Sequence, residues 1–127
     1  MSPLCSVAIH PSGYYLAAGF IDKLRIFHIL HSELRVYKEI VIKNCTQAKF
    51  SNGGHMLAVA HPRAKSNHNQ ISVYNAYTLE FIDNLKGHTH QISEIVWGPN
   101  DSFVASCGID GGIYEWSTID WKRKDFA

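Results

Sequence analysis

The feature that most constrains this 127-residue chain is that it repeats itself. Placing Phe50 opposite Trp97 superposes QAKFSNGGHMLAVAH, from Gln47, on EIVWGPNDSFVASCG, from Glu94, at an offset of 47 residues. Placing Ile9 opposite Phe50 brings SVAIHPSGYYLAAGF, from Ser6, onto the same pattern at an offset of 41. Each copy has a short apolar strand ending in Ile9, Phe50 or Trp97, a polar turn, and then Leu16-Ala17, Leu57-Ala58 or Val104-Ala105. Each closes on a strand ending in an aromatic residue: LRIF at Phe27, ISVY at Tyr74 and IYEW at Trp116, spaced by 47 and 42 residues. A period of about 40 to 45 residues made of several short strands is that of propeller blades.

The pattern predicts an all-β fold: a partial β-propeller of about three four-stranded antiparallel blades, at about 5–40, 45–85 and 87–127, the last incomplete. Strands are expected at 6–9, 15–18, 24–28 and 33–40, then 46–50, 56–60, 71–74 and 79–85, then 92–97, 103–106 and 113–116, with a fragmentary last strand starting near Trp121. All are short and rich in β-branched or aromatic residues, and turn formers separate them: Pro11-Ser12-Gly13, Ser51-Asn52-Gly53-Gly54, Gly98-Pro99-Asn100-Asp101 and Asp110-Gly111-Gly112. The second strand of each unit is made of small residues, in LAAG, LAVA and VASC. That suits sheets stacked face to face, where bulk would hold neighbours apart. Trp97 and Trp116 end apolar strands and are expected in the core. Three blades cannot close a ring of about four to eight, so the open end faces are expected to need neighbouring blades or to associate.

The segment from Gly87-His88 through Ser106 and Asp110 to Trp116 resembles the WD-repeat family, in which Gly-His opens the unit and Trp-Asp closes it. The resemblance implies a hydrogen-bonded chain inside the blade formed by His88, Ser106, Asp110 and Trp116. A carboxylate, an imidazole, a hydroxyl and an indole N–H can satisfy one another without water. The chain departs from the family pattern: Ser117 replaces the closing Asp, and Ala18 and Val59 stand where Ser106 does. The first two blades are therefore expected to rest on apolar packing alone. The runs HPSGYYLAAGFIDKLRIF from His10, KFSNGGHMLAV from Lys49, and LKGHTHQISEIVWGPNDS with GIDGGIYEWS from Leu85 onward are together similar to one branch of the family, the cilia- and flagella-associated WD-repeat proteins of motile axonemes. This branch implies a non-catalytic scaffold on doublet microtubules that helps attach or regulate inner dynein arms. The partners so implied are axonemal dynein or regulatory complexes and the remaining blades of the same propeller, in the axoneme of a cilium or flagellum. The alternative is a generic cytosolic WD-repeat adaptor, as in a ubiquitin ligase.

Twelve Lys and Arg against eleven Asp and Glu leave no broad field for nucleic acid. No window reaches the roughly 18 apolar residues of a helical membrane span, and no secretory type of leader follows Met1, so an intracellular protein with no membrane contact is expected. Three cysteines, Cys5, Cys45 and Cys107, are too few and too odd in number for a disulfide framework and are expected as reduced thiols. His88, Ser106 and Asp110 are also the residue types of a hydrolytic triad. Ser106, however, lies in the strand VASC and not in an exposed nucleophile turn, so no catalysis is expected. His88 with His90, or His61 with His68, lacks the ligand spacing of a zinc site, and no metal or cofactor is expected. The His61–Gln70 stretch lengthens the middle unit by six residues relative to the first. Arg63, Lys65 and His68 in it would suit an acidic partner surface such as tubulin; a solvated, tolerated insertion is the other reading.

Overall fold

The computed structural model describes residues 3–62 and 68–126. Twelve strands follow in chain order: β1 (Leu4–Ile9), β2 (Tyr15–Phe20), β3 (Leu24–Ile29), β4 (Leu34–Ile40), β5 (Gln47–Phe50), β6 (Met56–Pro62), β7 (Asn69–Asn75), β8 (Phe81–Lys86), β9 (Ile92–Trp97), β10 (Phe103–Gly108), β11 (Ile113–Ser117) and β12 (Arg123–Asp125). They form three antiparallel meanders, ordered β1-β2-β3-β4, β5-β6-β7-β8 and β9-β10-β11-β12. The architecture is an unclosed stretch of β-propeller. The third sheet does reach a fourth strand, only three residues long, paired through Glu115 to Lys124 and Trp116 to Arg123.

The strands alternate because each sheet has two faces with different neighbours. In β6 both faces are covered: Leu57 and Val59 join Ala17, Leu24, Ile26 and Phe50 between the first and second sheets. Ala58 and Ala60 join Ile71, Val73, Ile95, Val104 and Trp116 between the second and third. All four β6 residues are fully buried, and each larger one contributes roughly 1.5 to 3 kcal/mol by leaving water. Small side chains at 58 and 60 let the sheets approach. The outer sheets are covered on one face only. Along β10, Val104 and Ser106 are buried while Phe103, Ala105 and Cys107 on the opposite face are not.

The turns also join neighbouring sheets. His10, buried in the β1–β2 turn, meets the Gly54 carbonyl of the β5–β6 turn through Nε2 at 2.8 Å. Gly54 sits at φ +82°, and a Cβ there would come within 2.5 Å of that imidazole nitrogen, so both conformation and contact call for glycine. Between the second and third sheets, Trp97 donates its indole N–H to the Lys49 carbonyl at 3.1 Å. Trp97 and Trp116 are core residues.

Candidate functional site

In the third sheet, β9 follows Gly87-His88 closely enough to fold the His88 ring back under β10 and β11. There His88 and Ser106 share a hydrogen bond, Nε2 to Oγ, of 2.6 Å, with both side chains buried. The other two members of the expected chain are placed differently. Asp110 lies in the β10–β11 turn, where its carboxylate accepts from the Gly112 N–H at 3.1 Å and the Thr89 hydroxyl at 2.8 Å. His90 stands 3.5 Å away from the same carboxylate. Trp116 packs its ring 6.3 Å from that of His88. The four-member chain is therefore not closed: among the described residues His88 Nδ1 is buried with no hydrogen-bond partner, and the Asp110 carboxylate is held by the turn amide and Thr89. A Cβ at Gly108 would lie 2.7 Å from Asp110 Oδ1 and 2.8 Å from His88 Nδ1, so glycine is what lets these two groups approach.

Two residues that sequence reasoning passed over complete this cluster. The Tyr114 ring stands edge-on to His88 at 4.7 Å, and the Arg123 guanidinium caps Tyr114 from β12 at 4.9 Å. Arg123 also donates to the Lys86 carbonyl at 3.1 Å and pairs with Asp125 at 2.8 Å, fastening β12 to the end of β8. Burial pushes the His88 pKa below its usual 6.5, Asp110 opposes that shift, and Arg123 adds to it. The hydrogen bonds from Gly112 and Thr89 hold Asp110 below the usual carboxylate value. With no hydrogen bond between the Asp110 carboxylate and the second ring nitrogen of buried His88, these residues do not have triad geometry.

The middle sheet corrects the expectation that the upstream units hold together by apolar packing alone. His61 at the end of β6 contacts the Ser72 hydroxyl on β7 at 2.7 Å, and Ser72 meets the Asn84 side chain on β8 at 2.8 Å. Gln70 extends the row, 3.4 Å from Asn84. This network runs across three strands on the face toward the first sheet, at positions unrelated to the family tetrad. Burial lowers the His61 pKa, partly opposed by a bond to the Pro62 carbonyl. A second unanticipated group is Asp101, buried in the third sheet's turn. Its carboxylate accepts from the backbone N–H groups of Asn52 at 2.7 Å and Gly53 at 2.8 Å, bracketing the second and third sheets.

Of the expected partner-contact residues, His68 is exposed, while Arg63 and Lys65 lie outside the described residues. Among the described residues, no group of three or more His, Cys, Asp or Glu is arranged to hold a metal ion. The cysteines are free, and burial of Cys45 pushes its thiol up to about 12.

Two grooves flank β8. One of about 660 Å³ opens between the first and second sheets, lined by Val41, Lys43, His61, Ser72, Phe81 and Asn84 among others. One of about 700 Å³ opens between the second and third, lined by Asp83, Lys86, Trp116, Trp121, Arg123 and Asp125 among others.

Comparison with known proteins agrees with this geometry. Residues 79–117 match the family model described as "WD domain, G-beta repeat". The chain is 41% identical over 119 residues to cilia- and flagella-associated protein 57 of Mus musculus, covering 94% of this chain and 9% of that protein. It is 40% identical over 119 residues to cilia- and flagella-associated protein 57 C of Tetrahymena thermophila, covering 87% of this chain and 9% of that one. It is 30% identical over 121 residues to WD repeat-containing protein 1 of Mus musculus, covering 93% of this chain and 19% of that protein. Among solved structures, the WD40 repeats of RRP9 superpose with a TM-score of 0.83 at 14% identity, covering 98% of this chain and 38% of that one. The C-terminal WD40 domain of Sif2 gives 0.84 at 16% identity, covering 99% and 37%. The chain thus spans about a tenth of the length of its ciliary relatives.

Proposed function

We propose, from the premise that this chain belongs to the WD-repeat β-propeller family, that it is a non-catalytic scaffold segment of an axonemal protein and helps attach or regulate inner dynein arms on doublet microtubules. The observation that carries the reading is the single-register similarity to cilia- and flagella-associated protein 57 over 94% of the chain. The architecture supports it: histidine, serine and tryptophan side chains are spent inside or between blades, and what remains for a partner is grooves, edges and loops. We read 5–40, 45–85 and 87–127 as three consecutive blades, with further blades of the same polypeptide covering the open faces. Of His88, Ser106, Asp110 and Trp116, the His88–Ser106 hydrogen bond packed against Trp116 is the structural fastening of the third blade, and Asp110 ties its β10–β11 turn to Thr89. Arg63, Lys65 and His68 form an additional contact loop toward an acidic partner such as tubulin.

The test is proximity labelling from the tagged full-length protein in ciliated cells. Enrichment of inner-arm dynein subunits or their regulators is expected. Labelling dominated by ubiquitin-ligase subunits, with no axonemal protein enriched, would replace the reading with that of a cytosolic adaptor.

A further inference from the structure

Asn52-Gly53, in the turn between β5 and β6, is the one Asn-Gly pair of the chain. The pair carries a chemistry of its own. With no side chain on glycine to crowd the approach, the Gly53 backbone nitrogen can attack the Asn52 side-chain carbon Cγ. The N–Cγ bond forms, the bond from Cγ to Nδ2 breaks, and ammonia leaves with the proton that the backbone nitrogen gave up. One water then opens the cyclic imide at either carbonyl, giving aspartate or isoaspartate. Both residues are exposed, so water reaches the turn and burial does not protect it.

What holds the pair in check comes from the third sheet. The Gly53 N–H, on the nitrogen that would attack, donates to Asp101 Oδ2 at 2.8 Å, while the Asn52 N–H donates to Oδ1 at 2.7 Å. Taking a proton from the Gly53 nitrogen would set a negative charge against that carboxylate, and like-charge repulsion opposes it. The Asn52 carboxamide is held as well. Its Nδ2 donates to the Gly98 carbonyl at 3.0 Å, with the Trp97 carbonyl at 3.5 Å. Both neighbours only accept, which fixes the NH₂ end of the carboxamide there. Ring closure has to release the Gly53 nitrogen and the carboxamide together, and every partner named belongs to the end of β9 or the turn after it. The product fits this place badly: a carboxylate at position 52 would face two carbonyls that cannot donate and stand beside Asp101, and isoaspartate lengthens the turn's backbone by a methylene.

We propose that Asn52-Gly53 is a deamidation site latched by the docked third sheet. It stays asparagine while the second and third sheets are together, converts when they part, and the product then opposes their return. The test incubates the purified full-length protein at neutral pH and follows Asn52 by peptide-mapping mass spectrometry, beside a synthetic peptide of residues 49–57. Asn52 in the native protein is expected to react roughly tenfold or more slowly than in the peptide. Asp101→Asn, which gives up one of the two acceptors, is expected to recover part of that lost rate. Ile26→Ala removes none of these bonds and loosens the packing between the first and second sheets instead, so it is expected to raise the rate less than Asp101→Asn does. Equal rates in the native protein and the peptide, or a rate in Asp101→Asn no higher than in Ile26→Ala, would overturn the latch. For the product, Asn52→Asp is expected to melt below Asn52→Ala, because it adds a misplaced charge to the loss of the same hydrogen bond. An equal or higher melting temperature in Asn52→Asp would overturn the one-way step.

Discussion

Asp101 is 6% exposed, yet its carboxylate is held by two backbone N–H groups of the neighbouring sheet's turn. Asp101→Ala is expected to lower stability by roughly 1.5 to 3 kcal/mol, and Asp101→Asn by less, because one acceptor is kept. Urea denaturation of the intact propeller measures both. Histidine sets the pH response. His88 and His61 have folded-state pKa values below the usual 6.5, so the unfolded chain takes up protons first as pH falls. Their contribution is complete above that value and is lost progressively below it. Melting temperature is therefore expected to drop between about pH 7 and pH 5, with a shallower slope in His61→Gln; an unchanged slope would exclude His61 as a source. Asp110, held below its usual value, contributes stability that is present above the usual carboxylate value and is lost as pH falls below it, in a range well under the histidine window. The thiols give a simpler readout: exposed Cys5 is expected to alkylate quickly and Cys45, buried and pushed up to about 12, far more slowly.

At the scale of the element, the small residues of β6 mark a sheet covered on both faces. Ala58→Leu is expected to cost about 1 to 3 kcal/mol through overpacking. Ala105→Leu on the open face of β10 is expected to cost close to nothing in the isolated 127-residue chain, and the proposal that a further blade covers this face predicts a cost in the full-length protein similar to that of Ala58→Leu. Much of this layer was legible in the sequence, because turn formers cut the chain at fixed intervals and the strands between them are apolar. Strand ends were displaced by a residue or two, as at β7, where Asn69 and Gln70 extend the pairing beyond the apolar ISVY run. The polar contacts were less legible. Asp101 meets residues 48 and 49 positions away, and such a contact depends on how sheets stack, which strand periodicity does not encode. The His61, Ser72 and Asn84 row had one local signal: polar residues at strand positions that the antiparallel pairing brings into register. The family pattern drew attention instead to Asp110, whose turn amide and Thr89 hydroxyl compete for the carboxylate the pattern assigns to His88.

At the scale of the molecule, three sheets stacked through two apolar layers leave two outer faces open, with Val7, Ile9 and Val36 exposed on the first sheet and Val96 and Ile113 on the third. The isolated chain is expected to self-associate, and light scattering after gel filtration would show it; a monomer with a cooperative thermal transition would mean the open faces need no cover. The central claim is that the longer protein bearing these blades is built into the axoneme. Its most direct test is fractionation: cilia from cells expressing the endogenously tagged full-length protein are extracted with nonionic detergent, and axonemes are separated from the soluble fraction. The account predicts that the protein stays with the axoneme and is released with the inner dynein arms or their regulators at raised salt. Quantitative recovery in the detergent-soluble fraction, or cilia empty of the protein while the cytosol is full, would contradict it.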